Sequence, residues 1–256
     1  MKEKNIRLVL QYDGSRYDGW QKQGNTDKTI QGRLEQVLEK MAGQPVEVFG
    51  SGRTDAGVHA LKQTANFHLT GQAAAMKAGE ISTYLNRYLP EDIAVTAVSE
   101  APLRFHSRLN AVKKQYLYRI ETAEKKDVFE RKYLYGLGRT LDVAAMERAA
   151  EVLSGTHDFR AFCSLKRVKK SNVRTLEPIT ITKKGTRVEL SFIGNGFLYN
   201  MVRILAGTLI EVGTHQRTEE SVLAALESGE REQAGYTAPP EGLFLAEVWY
   251  PENISK

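Results

Sequence analysis

The order of strand-like and helix-like segments is the feature that most constrains the fold of this chain. Four segments in the first half have the alternation or short apolar run of a strand: 5–12, 46–49, 64–69 and 93–98. Two segments have the apolar spacing of a helix: 29–43, which ends at Gly43 and Pro45, and 73–88, which stops before Leu89-Pro90. The predicted order is β-α-β-β-α-β.

The second half contains a similar series. Its predicted strands are 115–120, 174–182, 187–193 and 243–249. Its predicted helices are 142–155, with Asp142 as a plausible N-cap, 199–212 and 218–226. Two such series predict an α+β protein of two ferredoxin-like β-α-β-β-α-β halves, 1–107 and 108–256. Helices then cover one face of each antiparallel sheet, and the other face is free to line a cleft.

Composition excludes several classes of protein. Hydrophobic residues make up 41% and charged residues 26% of the 256 residues, which argues against wholesale disorder. No apolar run approaches the roughly 20 residues that span a bilayer, so we expect no membrane-spanning helix. The start of the chain does not resemble a signal peptide, and Cys163, the one cysteine, allows no internal disulfide. These features together lead us to expect a cytoplasmic location. His59 and His68 lack a third ligand at typical spacing, so no metal site is predicted.

Positive charge is concentrated in one part of the chain. The formal net charge is only +5, but residues 104–174 hold 17 basic and 8 acidic residues, a net +9. The basic clusters are Lys113-Lys114, Arg131-Lys132 and Lys166-Arg167-Val168-Lys169-Lys170. Each cluster by itself is compatible with an ordinary solvated surface. Together they favour a surface that neutralises the phosphates of a nucleic acid.

The glycine-rich segment 50–60 is the strongest candidate for chemistry. Its spacing, G-x-G-x-x-x-x-G, fits neither the dinucleotide-binding fingerprint nor a phosphate-binding loop, because no Gly-Lys-Ser/Thr follows. It contains the carboxylate of Asp55 two residues after the guanidinium of Arg53. A nearby arginine keeps an aspartate ionised, as a nucleophile or base requires. A tight turn whose aspartate caps backbone amides is the alternative.

The sequence Gly52-Arg53-Thr54-Asp55-Ala56-Gly57-Val58-His59 resembles the active-site motif of the TruA family of tRNA pseudouridine synthases. The resemblance extends in order over nearly the whole chain. The other similar stretches are Tyr12-Asp13-Gly14-Ser15, Gly19-Trp20-Gln21, Phe105-His106-Ser107-Arg108, Tyr116-Leu117-Tyr118, Asn200-Met201-Val202-Arg203 and Glu241-Gly242-Leu243.

This resemblance implies two ferredoxin-like halves around a basic catalytic cleft, and a homodimer. It implies that Asp55 is the catalytic nucleophile, that Tyr116 packs on the flipped base, and that Arg203 pairs with the aspartate. Arg53 is left with two roles, holding Asp55 or binding a flanking phosphate. The implied substrate is the anticodon stem-loop of tRNA, at positions 38, 39 and 40.

The implied reaction detaches uracil from C1′ of the ribose, turns it and rejoins it through C5, so no cofactor or metal is expected. Asp55 has three possible roles: attack on C1′, addition to C6 of the base, or removal of the 2′ proton. Two other functions fit parts of the sequence. A non-catalytic RNA-binding protein would have no need of the carboxylate, and a hydrolase would normally have a second carboxylate or metal ligands.

Overall fold

Contacts within the chain divide it into two units. The structure is a computed structural model that describes residues 3–125, 127–165 and 171–252. Unit 1 is Met1–Val112 with Leu245–Lys256, and unit 2 is Lys113–Phe244. The last segment of the chain is therefore grouped with the first half. The predicted division into domains 1–107 and 108–256 stays a prediction.

Unit 1 has the predicted order of elements. They are β1 (Glu3–Tyr12), α1 (Ile30–Ala42), β2 (Phe49–Gly50), β3 (His59–Thr70), α2 (Ala78–Tyr88) and β4 (Ile93–Ala101). The strands pair antiparallel in the order β4-β1-β3, and the short β2 pairs with β3. This pairing places both ends of the 51–58 segment on the sheet, because β2 enters the segment and β3 leaves it.

The apolar pattern of the sequence explains these elements. Ile6, Leu8 and Leu10 alternate along β1 and are completely buried, as expected for one face of a half-covered strand. Helix α1 begins where the Thr29 side chain accepts a hydrogen bond from the Gly32 amide. It ends at Gly43, whose φ of 70° is a left-handed conformation that glycine adopts without strain.

Unit 2 also combines a mostly antiparallel sheet with helices. Its elements are β5 (Lys113–Glu121), β6 (Tyr135–Gly136), α3 (Val143–Leu153), β7 (Gly155–Asp158), β8 (Val173–Leu176), β9 (Thr180–Lys184), β10 (Arg187–Gly194), α4 (Met201–Gly213) and α5 (Glu219–Ser228). The strand order is β5-β10-β8-β7, with β9 paired to β10 and β6 parallel to β5. The chain continues into β11 (Leu243–Trp249).

The mixed fold of helices and mostly antiparallel strands is confirmed, but several boundaries differ from the prediction. The strand predicted at 174–182 is two strands, β8 and β9, separated by a segment that contains Pro178, which has no amide to donate. The helix predicted to start at 73 begins at Ala78, after a short 3-10 turn over Ala73–Ala75. Across 3–125, 127–165 and 171–252, no helix has the length and apolar character needed to cross a membrane.

Candidate functional site

The segment between β2 and β3, residues 51–58, carries the candidate aspartate, and we call it the Asp55 loop. Its backbone is bonded to the β1–α1 connection at two points. The Trp20 amide donates to the Thr54 carbonyl at 3.0 Å, and the Gly57 amide donates to the Tyr17 carbonyl at 3.3 Å. The Val58 amide donates to the Asp55 carbonyl at 3.1 Å, so residues 55–58 close a turn. The backbone on either side of Asp55 is thereby fixed.

Glycines of the β1–α1 connection let this loop approach closely. A Cβ added at Gly14 would lie 2.0 Å from the Val58 carbonyl oxygen, and one added at Gly19 would lie 2.7 Å from the Thr54 carbonyl oxygen. Gly19 also has a φ of 94°, which side chains disfavour. The two stretches 12–15 and 19–21 thus form the surface against which the Asp55 loop packs.

A buried polar network lies beneath the Asp55 loop. The Ser51 hydroxyl donates to Gln63 Oε1 at 2.6 Å, and Gln63 Nε2 donates to the Gly52 carbonyl at 3.0 Å. The hydroxyl of Tyr12 hydrogen-bonds to Thr54 Oγ1 at 2.8 Å, and Gln63 Nε2 reaches the Tyr12 hydroxyl at 3.5 Å. All four side chains in this network are buried. We call Tyr12, Ser51, Thr54 and Gln63 the Gln63 network.

Two charged side chains of the loop remain accessible. Arg53 is exposed and Asp55 is half-buried, whereas Thr54 between them is buried. The alternation follows from the network, which draws Ser51 and Thr54 into the protein. A carboxylate and, two residues before it, a guanidinium are therefore presented on a backbone that is hydrogen-bonded at several points. This arrangement suits binding and covalent or acid-base chemistry better than a purely structural turn.

The other two predicted site residues lie in unit 2. Tyr116, on β5, is mostly buried and lies opposite Phe192 of β10. Its ring meets the Phe197 ring edge-on, with centroids 5.0 Å apart. Arg203, on α4, donates from Nε to the Ala238 carbonyl at 2.7 Å and from Nη1 to Asn200 Oδ1 at 3.4 Å. The guanidinium is thus oriented by the chain around it.

Tyr118, two residues after Tyr116, is held inside unit 2 and was not predicted as a site residue. It is completely buried and donates from its hydroxyl to the Pro239 carbonyl at 2.8 Å. Burial strongly raises the pKa of this phenol, so it stays protonated. Tyr118 therefore ties β5 to the same 238–239 segment that orients Arg203.

The structure describes two of the three predicted basic clusters. Lys113 forms an ion pair with Glu177. Arg131 donates to the carbonyl of Val128 within its own turn, and Lys132 is exposed. The cluster Lys166–Lys170 lies outside the described residues. In the part of the chain that the structure covers, no group of three or more His, Cys, Asp or Glu side chains is placed to hold a metal ion.

Sequence reasoning missed Gln63, because its partners are distant in the sequence. A signal was present: β3 carries Gln63, Thr64 and Asn66 at positions that are buried, in a strand whose other buried members are mostly apolar. A run of buried polar residues in a strand indicates that backbone groups nearby need partners. Gln63 is the member of that run whose side chain meets the Asp55 loop, whereas the Asn66 side chain bonds to Asn5 and to the Phe105 carbonyl.

Comparisons with known proteins identify the family of this chain. A family of tRNA pseudouridine synthases matches residues 8–110 and 149–251. A tRNA pseudouridine synthase A of Bacillus sp. (strain KSM-64) is 48% identical over 241 residues, covering 94% of this chain and 97% of the relative. A tRNA pseudouridine synthase A 2 of Clostridium tetani is 44% identical over 248 residues, covering 96% of this chain and 99% of the relative. The chain therefore belongs to the tRNA pseudouridine synthase family of isomerases.

Proposed function

We propose that this protein converts uridine to pseudouridine in tRNA, with Asp55 as the catalytic nucleophile. The observation that carries the proposal is the Asp55 loop itself. Its aspartate is accessible while the backbone on both sides is bonded to the β1–α1 connection. Family membership supplies the reaction, because relatives covered over nearly their whole length are named tRNA pseudouridine synthases.

The reaction is an isomerisation in which atoms balance without an external reagent. The N1–C1′ bond of uridine breaks, a C5–C1′ bond forms, C5 loses its proton to solvent, and N1 gains one. An ionised carboxylate supports this sequence by attack on C1′, by addition to C6, or by removal of the 2′ proton. We propose that Asp55 supplies that carboxylate and that Tyr116 packs on the uracil once it has left its stack.

Two arginines complete the proposed site. Arg203 already has a fixed orientation through Ala238 and Asn200, which suits an ion pair with the catalytic carboxylate. Arg53 is exposed beside Asp55, and this exposure supports a contact with a phosphate that flanks the target nucleotide. The other role proposed for Arg53 is to hold Asp55 in its ionised form. Measuring the salt dependence of tRNA binding distinguishes the two roles.

The wider organisation of the protein is also a proposal. The order β-α-β-β-α-β and the β4-β1-β3 pairing with β2 on β3 in unit 1 support a ferredoxin-like half. We propose that two such halves line a basic catalytic cleft, that the protein acts as a homodimer in the cytoplasm, and that its substrate is the anticodon stem-loop at positions 38, 39 and 40. The excess of positive charge over 104–174 supports a tRNA partner.

Tritium release from tRNA that contains C5-tritiated uridine tests the reaction. We expect release with the unaltered protein, none with Asp55→Asn, and retained tRNA affinity in that variant, because asparagine has the same shape but is a poor nucleophile. Asp27→Asn is the matched control, since Asp27 is an exposed carboxylate of the same unit. Release that persists in Asp55→Asn would remove Asp55 from the chemistry, and no release by the unaltered protein would refute the proposed reaction.

A further inference from the structure

A buried polar cluster of unit 1, the Gln63 network, lies directly beneath the Asp55 loop. Its four side chains are not exposed to substrate, since Ser51 and Gln63 are 0%, Tyr12 4% and Thr54 5% exposed. We infer that Gln63 is a positioning residue, which sets the rate of the chemical step by fixing the backbone that carries Asp55. This inference rests on the proposed function.

One amide side chain holds several points of the loop. Gln63 Oε1 accepts from Ser51, and Gln63 Nε2 donates to the carbonyl of Gly52. Through the hydroxyl of Tyr12 the same amide reaches Thr54. Three of the four residues immediately before Asp55 are therefore tied to a single side chain on the rigid strand β3. Arg53 is exposed, and it is the one residue of the four that the network leaves outside.

Burial of an amide at this position has a cost that the network offsets. The neighbouring buried residues Ala65, Phe67 and Leu69 of β3 are apolar, so an apolar residue at 63 would suit the same core. Leaving a buried amide or carbonyl unpaired is unfavourable, so the amide of Gln63 is compatible with the core only while the loop occupies its present position. The loop and Gln63 therefore fix each other.

The opposite side of the loop is fixed independently. There the Thr54 carbonyl accepts from the Trp20 amide, and the Gly57 amide donates to Tyr17. Those bonds hold residues 54–57 against the β1–α1 connection, and the Ser51 amide donates to the Thr64 carbonyl of β3 at 2.7 Å. Between these two fixed parts, Gln63 Nε2 holds the carbonyl of Gly52. Loss of the Gln63 amide thus affects the segment just before Asp55 without dismantling the turn after it. A displacement of about 1 Å at a reacting group costs on the order of 100-fold in rate.

The test compares Gln63→Leu with Asn86→Leu. Asn86 also pairs its amide with a backbone N–H and C=O, those of Val95, but on α2 and β4. We expect Gln63→Leu to lower the single-turnover rate of tritium release by 10- to 100-fold with tRNA affinity within about twofold of the unaltered protein. Asn86→Leu is expected to lose thermal stability and keep its rate per folded molecule.

A second variant supplies a readout that a purely structural role does not move. Gln63→Glu keeps the acceptor for Ser51 but donates to the Gly52 carbonyl only while its carboxyl is protonated. Burial raises the pKa of such a carboxyl, so the variant's rate should approach that of the unaltered protein as pH falls. If Gln63→Leu does not fold, Tyr12→Phe replaces it, because this change removes only the hydroxyl that reaches Thr54, and its rate should fall at least fivefold.

The outcomes separate the inference from the proposed function. A rate for Gln63→Leu, or for Tyr12→Phe in its place, within twofold of the unaltered protein would overturn the positioning role. Equal losses of rate in Asn86→Leu and Gln63→Leu would also overturn it, since the effect would then follow stability. If the unaltered protein releases no tritium, the proposed function fails first. Loss of release in Asp55→Asn with near-normal release in Gln63→Leu would refute the inference alone.

Discussion

Replacing Gly14 by alanine should displace the Asp55 loop without changing the identity of any proposed catalytic side chain. The added Cβ would lie 2.0 Å from the carbonyl oxygen and 2.6 Å from the carbonyl carbon of Val58. Both are backbone atoms, so no flexible side chain can move out of the way. Relief of the overlap to an ordinary contact needs a shift of roughly 1.5 Å. Residues 55–58 form one closed turn, so Asp55 moves with Val58.

The displacement predicts a large loss of rate together with a loss of stability of comparable free energy. A shift of this size lowers the rate of the chemical step by about 100-fold, which is equivalent to about 2.7 kcal/mol of activation free energy. Overpacking of this kind lowers the free energy of unfolding by about 1–3 kcal/mol. Single-turnover tritium release at saturating enzyme measures the first effect, and thermal unfolding measures the second.

The control lies in the same β1–α1 connection. A Cβ added at Gly24 has no atom within 4 Å, and Gly24 does not have a positive φ. Gly24→Ala should therefore keep the rate, the tRNA affinity and the stability of the unaltered protein. A folded Gly14→Ala variant whose rate stays within threefold of the unaltered protein would refute the reasoning, because the loop would then tolerate a displacement that we consider incompatible with catalysis.

Three further predictions concern stability and binding. Gly79 lies in the first turn of α2 with open space around it, so Gly79→Ala should raise the free energy of unfolding by up to about 1 kcal/mol, as thermal or urea unfolding would show. Burial raises the pKa of Tyr250 from its ordinary value to about 12, so the unfolded chain loses this proton at lower pH than the folded protein does. The contribution of this protonated phenol to stability is complete below about pH 10 and is lost as the pH rises toward 12. The free energy of urea unfolding should therefore decline over that window, and the decline should be less steep in Tyr250→Phe. An unchanged slope would contradict the assignment. Arg53→Ala should reduce the salt slope of tRNA binding by about one if the guanidinium binds a phosphate, while Arg87→Ala on α2 should leave the slope unchanged. A lower catalytic rate with an unchanged salt slope of tRNA binding would instead indicate that Arg53 holds Asp55 in its ionised form.

Local sequence signals were sufficient for much of the fold. The apolar stripe of α1 lies between two caps that the sequence shows directly, Thr29 and Gly43, and both caps are confirmed. The predicted N-cap Asp142 is also confirmed, since it accepts from the Ala145 amide at 3.0 Å. Strand β7, in contrast, is four residues without apolar alternation, Gly155–Asp158, and it exists because it pairs with β8. Such a strand depends on its partner and leaves no signal of its own.

The candidate site likewise has some features that follow from local sequence and others that depend on contacts formed only in the folded chain. The Asp55 loop was identified from contiguous residues, because glycine spacing and the arginine-aspartate pair are local features. The Gln63 network was not identified, since it joins β1, the loop and β3 through contacts between residues far apart in sequence. The close approach of Gly14 to Val58 is likewise visible only after the chain has folded. The loop that carries the candidate aspartate is therefore predictable from the sequence, whereas the contacts that position the loop are not.

Nucleoside mapping of an unmodified tRNA transcript after incubation with the purified protein tests the central claim most directly. The account predicts pseudouridine at positions 38, 39 and 40 wherever these are uridine, and an unchanged total mass, because the reaction is an isomerisation. It predicts no pseudouridine with Asp55→Asn, although that variant still binds the transcript. Pseudouridine formed by Asp55→Asn at the normal rate, or none formed by the unaltered protein, would contradict the account.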